Sequence, residues 1–181
     1  MYALKDAIGA DKVNSALRSF IAKYAFNEDD YPTSADLVAE FRAVAGPEHQ
    51  ALITDLFEQI TLFDLQVSEA SVTPVDEEFE ITLTVVAKKF TADGQGVETE
   101  VPLRYELDLG VFGQPTAEQA KLLGEVDLPE PLLLTKRTVV SGEQTFKLRV
   151  SERPLRVGID PYNKMIDRNP DDNLRRVVAG E

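Results

Sequence analysis

At about Leu62 the apolar residues stop recurring at three- and four-residue steps and begin to alternate one by one, and this change of period constrains the fold more than any other feature of the chain. The first stretch reads as helices with one apolar stripe each, and the second as strands with one apolar face each. Helices grouped before strands supply no βαβ units from which a parallel sheet could be wound, so the expected class is α+β. The expected organisation is a partial helical bundle of about four helices over residues 1–60. An antiparallel β-sandwich of six or seven strands then spans 61–181 and closes in a polar turn and tail.

Met1 to Ile8 reads as the last turns of a helix ended by Gly9, and Asp11 is the expected cap of the next, where Val13, Ala16, Leu17, Phe20, Ile21 and Tyr24 form the stripe. Asn27 to Pro32 is a polar loop. Thr33 or Ser34 should cap a third helix carrying Leu37, Val38, Phe41 and Val44, and Gly46-Pro47 separates it from a fourth that buries Leu52, Ile53, Leu56, Phe57 and Ile60. A chain that opens inside a helix is expected to be the end of a larger bundle; the other reading makes Met1 the native start and the short first helix a complete cap.

In the second stretch Phe63, Leu65 and Val67 alternate with polar neighbours, and Pro74 to Glu77 gives a turn. Phe79, Ile81, Leu83, Val85 and Ala87 line one face of the following strand. Asp93-Gly94-Gln95-Gly96 is a hairpin turn into a long alternation from Val97 to Val111. Pro102 lacks an N–H and would break a central ladder, so it should mark an edge, a bulge or a bend between sheets. Gly113 to Pro131 reads as a loop with a short helix at Glu118 to Leu123, and Leu132 to Val140 with Gln144 to Val150 as a hairpin around Ser141-Gly142-Glu143.

The formal charge of -13, from 32 acidic against 19 basic residues, removes nucleic acid from the expected partners, because phosphate neutralisation needs a clustered basic surface. The chain has no cysteine, hence no disulfide, thiol nucleophile or thiolate zinc ligand. The opening residues lack the pattern of a signal peptide, and no run approaches the roughly 18 apolar residues of a membrane span, so the chain is expected to fold in water without inserting into a bilayer.

No catalytic, cofactor-binding or metal-binding residue is expected in this chain. His49 is the only histidine, so H-E-x-x-H zinc chemistry and two-histidine sites are absent, and beside Glu48 it reads as a surface or capping residue. Asp93 to Gly96 joins strand to strand without the helix and lysine of a phosphate loop. Asp167, Asn169 and Asp171 match the first three ligand positions of a calcium loop, but Asp172 stands where glycine is required and Val178 where the bidentate glutamate belongs. Calcium is therefore not expected, and a calcium-dependent adhesion-like sandwich is the weakest reading. Glu77-Glu78 and Asp171-Asp172 read as solvated turn charges, and Leu132-Leu133-Leu134 as core.

The closing stretch is the most distinctive. Leu155, Val157 and Ile159 form a short strand stopped by Asp160-Pro161, after which Tyr162, Met165 and Ile166 alternate with Asx residues suited to tight turns. The whole resembles a lid on a domain. Met1 to Gly9, then Phe20, Tyr24 and Phe26, Pro32 to Leu37 and Glu40-Phe41 resemble the helices downstream of the zinc site in gluzincin aminopeptidases of the aminopeptidase N type. Leu52 to Glu58, Ile60 to Leu62, Lys88 to Phe90, Asp93 to Gly96, Glu98 to Leu103, Gly158 to Lys164 and Ile166 to Asn169 are similar to the peptidase-like region of bacterial proteins that fuse such a domain to an ABC-type permease.

The resemblance implies architecture and context rather than activity. The family's zinc ligands, general-base glutamate and transition-state tyrosine would lie upstream of Met1, so zinc belongs to the parent protein and this chain is not itself an enzyme. The implied role is a structural buttress or docking module, partnered by the upstream peptidase-like domain and the permease, in a parent at the bacterial inner membrane. The rival reading is a free-standing β-sandwich module that binds peptides or proteins at a sheet edge.

Overall fold

The computed structural model describes residues 1–26, 31–115 and 128–180. The chain divides into two compact units, Met1–Thr61 with Thr91–Glu98, and Leu62–Phe90 with Thr99–Glu181.

The first unit holds the helices α1 (Tyr2–Ile8), α2 (Ala10–Tyr24), α3 (Ser34–Val44) and α4 (Gln50–Phe57), with a 3-10 turn at Pro47–His49. Their apolar stripes meet in a core of Leu4, Ile8, Val13, Ala16, Val38, Phe41 and Ile53, against which Leu17, Leu37, Leu56 and Phe57 pack. Burying side chains of this size stabilises by about 1.5–3 kcal/mol each. Phe41 stacks on Phe57 with centroids 5.5 Å apart. Lys23 of α2 pairs with the buried Glu40 of α3. Arg42 donates to Gln50 Oε1 at 2.8 Å, to Thr54 Oγ1 at 2.7 Å and to Glu58, tying α3 to α4. The Thr33 N–H and hydroxyl both donate to the Asp36 carboxylate, at 2.7 and 2.8 Å, and the N–H bond leads in holding that carboxyl below its ordinary range.

Two helix boundaries differ from the sequence reading. Gly9, at φ 90°, is itself the cap of α2, so only this residue separates α1 from α2 and Asp11 lies in the first helical turn. An acid there still favours the positive end of the helix dipole. Ile60 is not on the fourth helix: α4 ends at Phe57, and Ile60 opens the first strand 55% exposed.

Nine strands are formed among the described residues: β1 (Ile60–Val75), β2 (Glu78–Ala92), β3 (Glu98–Val101), β4 (Arg104–Phe112), β5 (Pro131–Val140), β6 (Gly142–Val150), β7 (Arg156–Ile159), β8 (Leu174–Arg176) and β9 (Val178–Ala179). They form a sheet in the order β3-β2-β1-β9, with β6 also on β2, and a second in the order β5-β4-β7-β8. This is the expected α+β architecture with a sandwich of two sheets. The count exceeds six or seven because the alternation from Val97 to Val111 breaks into β3 and β4, and because the tail adds β8 and β9. One pair, β1 with β9, is parallel, matching Ser71 with Val178 and Val72 with Ala179.

Buried Phe63, Leu65, Ile81, Leu83 and Val85 on one sheet, and Leu107, Leu109, Val111, Val157 and Ile159 on the other, give the sandwich its interior. The break between β3 and β4 is at Pro102-Leu103, where the chain leaves one sheet for the other. At Ser141 it crosses back, from β5 to β6. The two crossings are bonded to each other: Leu103 N–H donates to Ser141 Oγ at 2.7 Å and Ser141 N–H to the Leu103 carbonyl at 3.1 Å. The short helix expected at Glu118 to Leu123 lies outside the described residues.

Candidate functional site

Buried polar chemistry gathers where the segment after β7 folds over β4. Alternation along β4 turns Leu107, Leu109 and Val111 inward and Asp108 and Gly110 to the other face. Asp108 is nevertheless only 5% exposed. Its Oδ2 pairs with Lys164 Nζ, and its Oδ1 lies 3.4 Å from Lys136 Nζ on β5. Gly110, two residues along on the same face, leaves room for Pro161, whose Cγ would stand 3.0 Å from a Cβ placed there.

Asp160 comes directly after β7 and redirects the chain. Its N–H donates to the Asp108 carbonyl at 2.8 Å, and its φ of 43° then makes the turn, a left-handed conformation that aspartate tolerates better than most residues. Asn163, at φ 49°, completes the turn by donating its N–H to the Asp160 carbonyl at 2.9 Å. The Asp160 side chain accepts Lys164 N–H at Oδ1, 3.1 Å, and Met165 N–H at Oδ2, 2.8 Å. The residue is 2% exposed, and burial pushes its carboxyl up to about 6 against the pull of those N–H groups and Lys164. Burial likewise raises the Tyr162 hydroxyl. All four oxygens of Asp108 and Asp160 are thus engaged, two by ammonium groups and two by backbone N–H groups, an arrangement that fastens the segment to the sheet.

Farther along, the segment reaches the other sheet. Phe63 N–H donates to the Ile166 carbonyl at 2.8 Å, and Arg168 N–H to the Phe63 carbonyl at 3.0 Å. Asp167 accepts Leu65 N–H at 3.1 Å and Asn169 N–H at 3.0 Å, and burial raises its carboxyl. Arg168 lies over the Phe90 ring, 4.8 Å from its centroid.

The residues weighed from the sequence are not brought together. His49 lies on the 3-10 turn with Nε2 3.4 Å from Glu48 Oε1. Asp93 Oδ1 accepts Gln95 and Val97 N–H groups, both at 2.9 Å, within the β2–β3 hairpin turn. Glu77 lies in the turn between β1 and β2 and Glu78 opens β2, and both are exposed. In the calcium-like stretch the Asp167 oxygens serve backbone N–H groups, while Asn169 Nδ2 donates to Asp172 Oδ2 at 2.8 Å. Among the described residues no three His, Asp or Glu side chains converge on a position for a metal ion. Nor, among them, is any helix long and apolar enough to cross a membrane.

The sequence points to the Asp160-Pro161 turn and does not single out Asp108, which looks like any outward polar residue of a strand. The available signal is Gly110 on the same face, a bare position that something else must cover. No protein-family model matches this sequence, and no curated protein matches it either.

Proposed function

We propose that this chain is the non-catalytic C-terminal segment of a zinc aminopeptidase-like protein linked to an ABC-type permease. The helical unit docks on the upstream peptidase-like domain, and the sandwich acts as a buttress. Zinc and the catalytic groups belong to that upstream domain, and the parent sits at the bacterial inner membrane.

The observation that carries this reading is where apolar surface is left open. Met1, Tyr2, Ile21, Phe26, Tyr31, Ile60 and Val97 of the smaller unit are exposed, with Phe26 fully so and Tyr31 at 87%; the larger unit exposes only Leu134, Tyr162, Ile166 and Val178 among the described residues. Large side chains concentrated on a small helical unit are what a docking surface requires. A second reading, peptide capture at a sheet edge, is favoured by β5, which pairs on one side only among the described residues and carries the exposed Leu134.

Hydrogen exchange with and without the polypeptide encoded immediately upstream separates the two. Docking predicts that α1, α2 and the residues around Tyr31 gain protection while β5 is unchanged. Equal exchange of the helices in both samples contradicts it.

A further inference from the structure

We propose that Asp167, Asp172 and Asn173 form a binding site for a hard divalent cation of the calcium class, where the segment after β7 lies along β1. The observation that points to a ligand is Asn173. The residue is 0% exposed, yet neither its Oδ1 nor its Nδ2 completes a hydrogen bond, and the Oδ1 of the preceding Asp172 is buried in the same condition. Folded interiors rarely leave such groups open, because each keeps the full cost of leaving water. The backbone beneath them is held, since the Asn173 carbonyl accepts Ile159 N–H at 3.0 Å and Asp172 N–H donates to the Asn169 carbonyl at 3.3 Å. Asp167 supplies the facing wall. Its carboxylate is fixed by the Leu65 and Asn169 N–H groups, beside the Asn173 amide and within reach of the Asp172 charge. Asn169 Nδ2 takes Asp172 Oδ2 at 2.8 Å and leaves Oδ1 as the open atom. Burial raises both carboxyls, and the charges of Asp64 and Asp171 push that of Asp172 further in the same direction.

The open atoms select the ligand. A single water would bring two protons and no charge to a pair of neighbouring carboxylates, whereas a cation offsets their charge and serves every oxygen at once. With the cation in place Asn173 turns Oδ1 to it and Nδ2 to the Asp167 carboxylate, so both ends of the amide are satisfied. Carboxylate and amide oxygens suit a hard ion rather than zinc. Only two acids take part, so waters complete the shell; calcium accepts such an irregular set, while magnesium demands a near-ideal octahedron. Because the ligands come from positions 167, 172 and 173, the calcium-loop pattern broken at Asp172 and Val178 is not required.

The test is calorimetric titration of the intact chain with calcium chloride and, separately, magnesium chloride at constant ionic strength. It compares the parent sequence with Asp172→Asn and with a control carrying Glu77→Gln and Glu78→Gln. One calcium should bind the parent sequence with a Kd of roughly 0.1–1 mM, and magnesium more weakly. Asp172→Asn keeps an acceptor for Asn169 but removes the charge, and should weaken calcium on the order of tenfold while the control is unchanged. No saturable binding up to about 10 mM, well above the range of such sites, overturns the proposal and leaves a buried water as the partner of Asn173. Tighter binding of magnesium than of calcium overturns it as well. So does an undiminished affinity in Asp172→Asn, or an equal loss in the control, either of which would assign the ion to the diffuse acidic surface. Should Asp172→Asn fail to fold, manganese added to the parent sequence decides: paramagnetic broadening centred on the Asn173 side-chain amide and Leu65 N–H supports the site, and broadening centred elsewhere overturns it.

Discussion

A Cβ on Gly158 would stand 2.4 Å from the Asn173 carbonyl oxygen and 2.6 Å from Leu174 Cδ2. That carbonyl accepts Ile159 N–H at 3.0 Å, so it is held by the β7–β8 ladder. Gly158→Ala should cost about 2–3 kcal/mol in urea unfolding. At Gly110 the obstacles are the Phe112 ring at 2.8 Å and Pro161 Cγ at 3.0 Å, which are side-chain atoms with more room to give. Gly110→Ala should cost about 1–2 kcal/mol, and the reverse order of the two variants would contradict this packing. Asp108→Ala removes the buried carboxylate that pairs with Lys164, whose side chain is 20% exposed, and with Lys136, whose side chain is 41% exposed. A loss of about 2–3 kcal/mol is expected, smaller than for a wholly buried pair because water reaches both amines; a loss within 0.5 kcal/mol, roughly a neutral surface change, would show the pairing to be incidental. Asp160 is legible at this scale because proline and the Asx residues announce a turn locally. Asp108 is not, because its burial depends on a segment some fifty residues downstream in the same chain.

The elements are legible wherever one period runs uninterrupted. Val13, Ala16 and Leu17 on α2, and Ile81, Leu83 and Val85 on β2, lie where their spacing places them. Two misreadings fall at ends, where cap geometry rather than periodicity decides, and two fall inside elements: Ile21 on the stripe of α2 and Leu134 in the run read as core are both exposed. Asp11 is the better capping residue by chemistry, yet Gly9 alone can take φ 90° between two helices. Ile60 fits the helical stripe by spacing, but α4 has already ended, and the residue belongs to the strand that comes next. At Pro102 the proline fixes the position of a break without fixing its partner. That partner is Ser141, whose hydroxyl receives the N–H of the buried Leu103. Ser141→Ala leaves this donor unsatisfied and should cost about 1–3 kcal/mol by calorimetry or denaturant, whereas Ser141→Thr, which keeps the acceptor, should recover part of the loss. Equal losses in both variants would mean that the corner is held by packing alone.

For the molecule as a whole, burial is uneven. The sandwich encloses its apolar residues between two sheets, whereas the helical unit leaves Tyr2, Ile21, Phe26 and Tyr31 in solvent. Replacing Tyr2, Ile21 and Phe26 together by serine should change stability by less than about 1 kcal/mol, since they contribute little to the fold, yet weaken association with the upstream polypeptide at least tenfold. A large loss of stability without loss of association would place these side chains in the fold rather than in an interface. The class of fold follows from a change of period visible in the sequence, and the open surface on the helical unit does not, because periodicity records which side of a helix is apolar but not how much of it finds a partner within the chain. The central claim is that the partner is a peptidase-like domain encoded next to this chain. The most direct measurement is the nucleotide sequence of the reading frame upstream of the Met1 codon. The account predicts an open frame continuing into H-E-x-x-H, a downstream glutamate ligand and apolar spans; a stop codon and ribosome-binding site immediately before Met1 would contradict it.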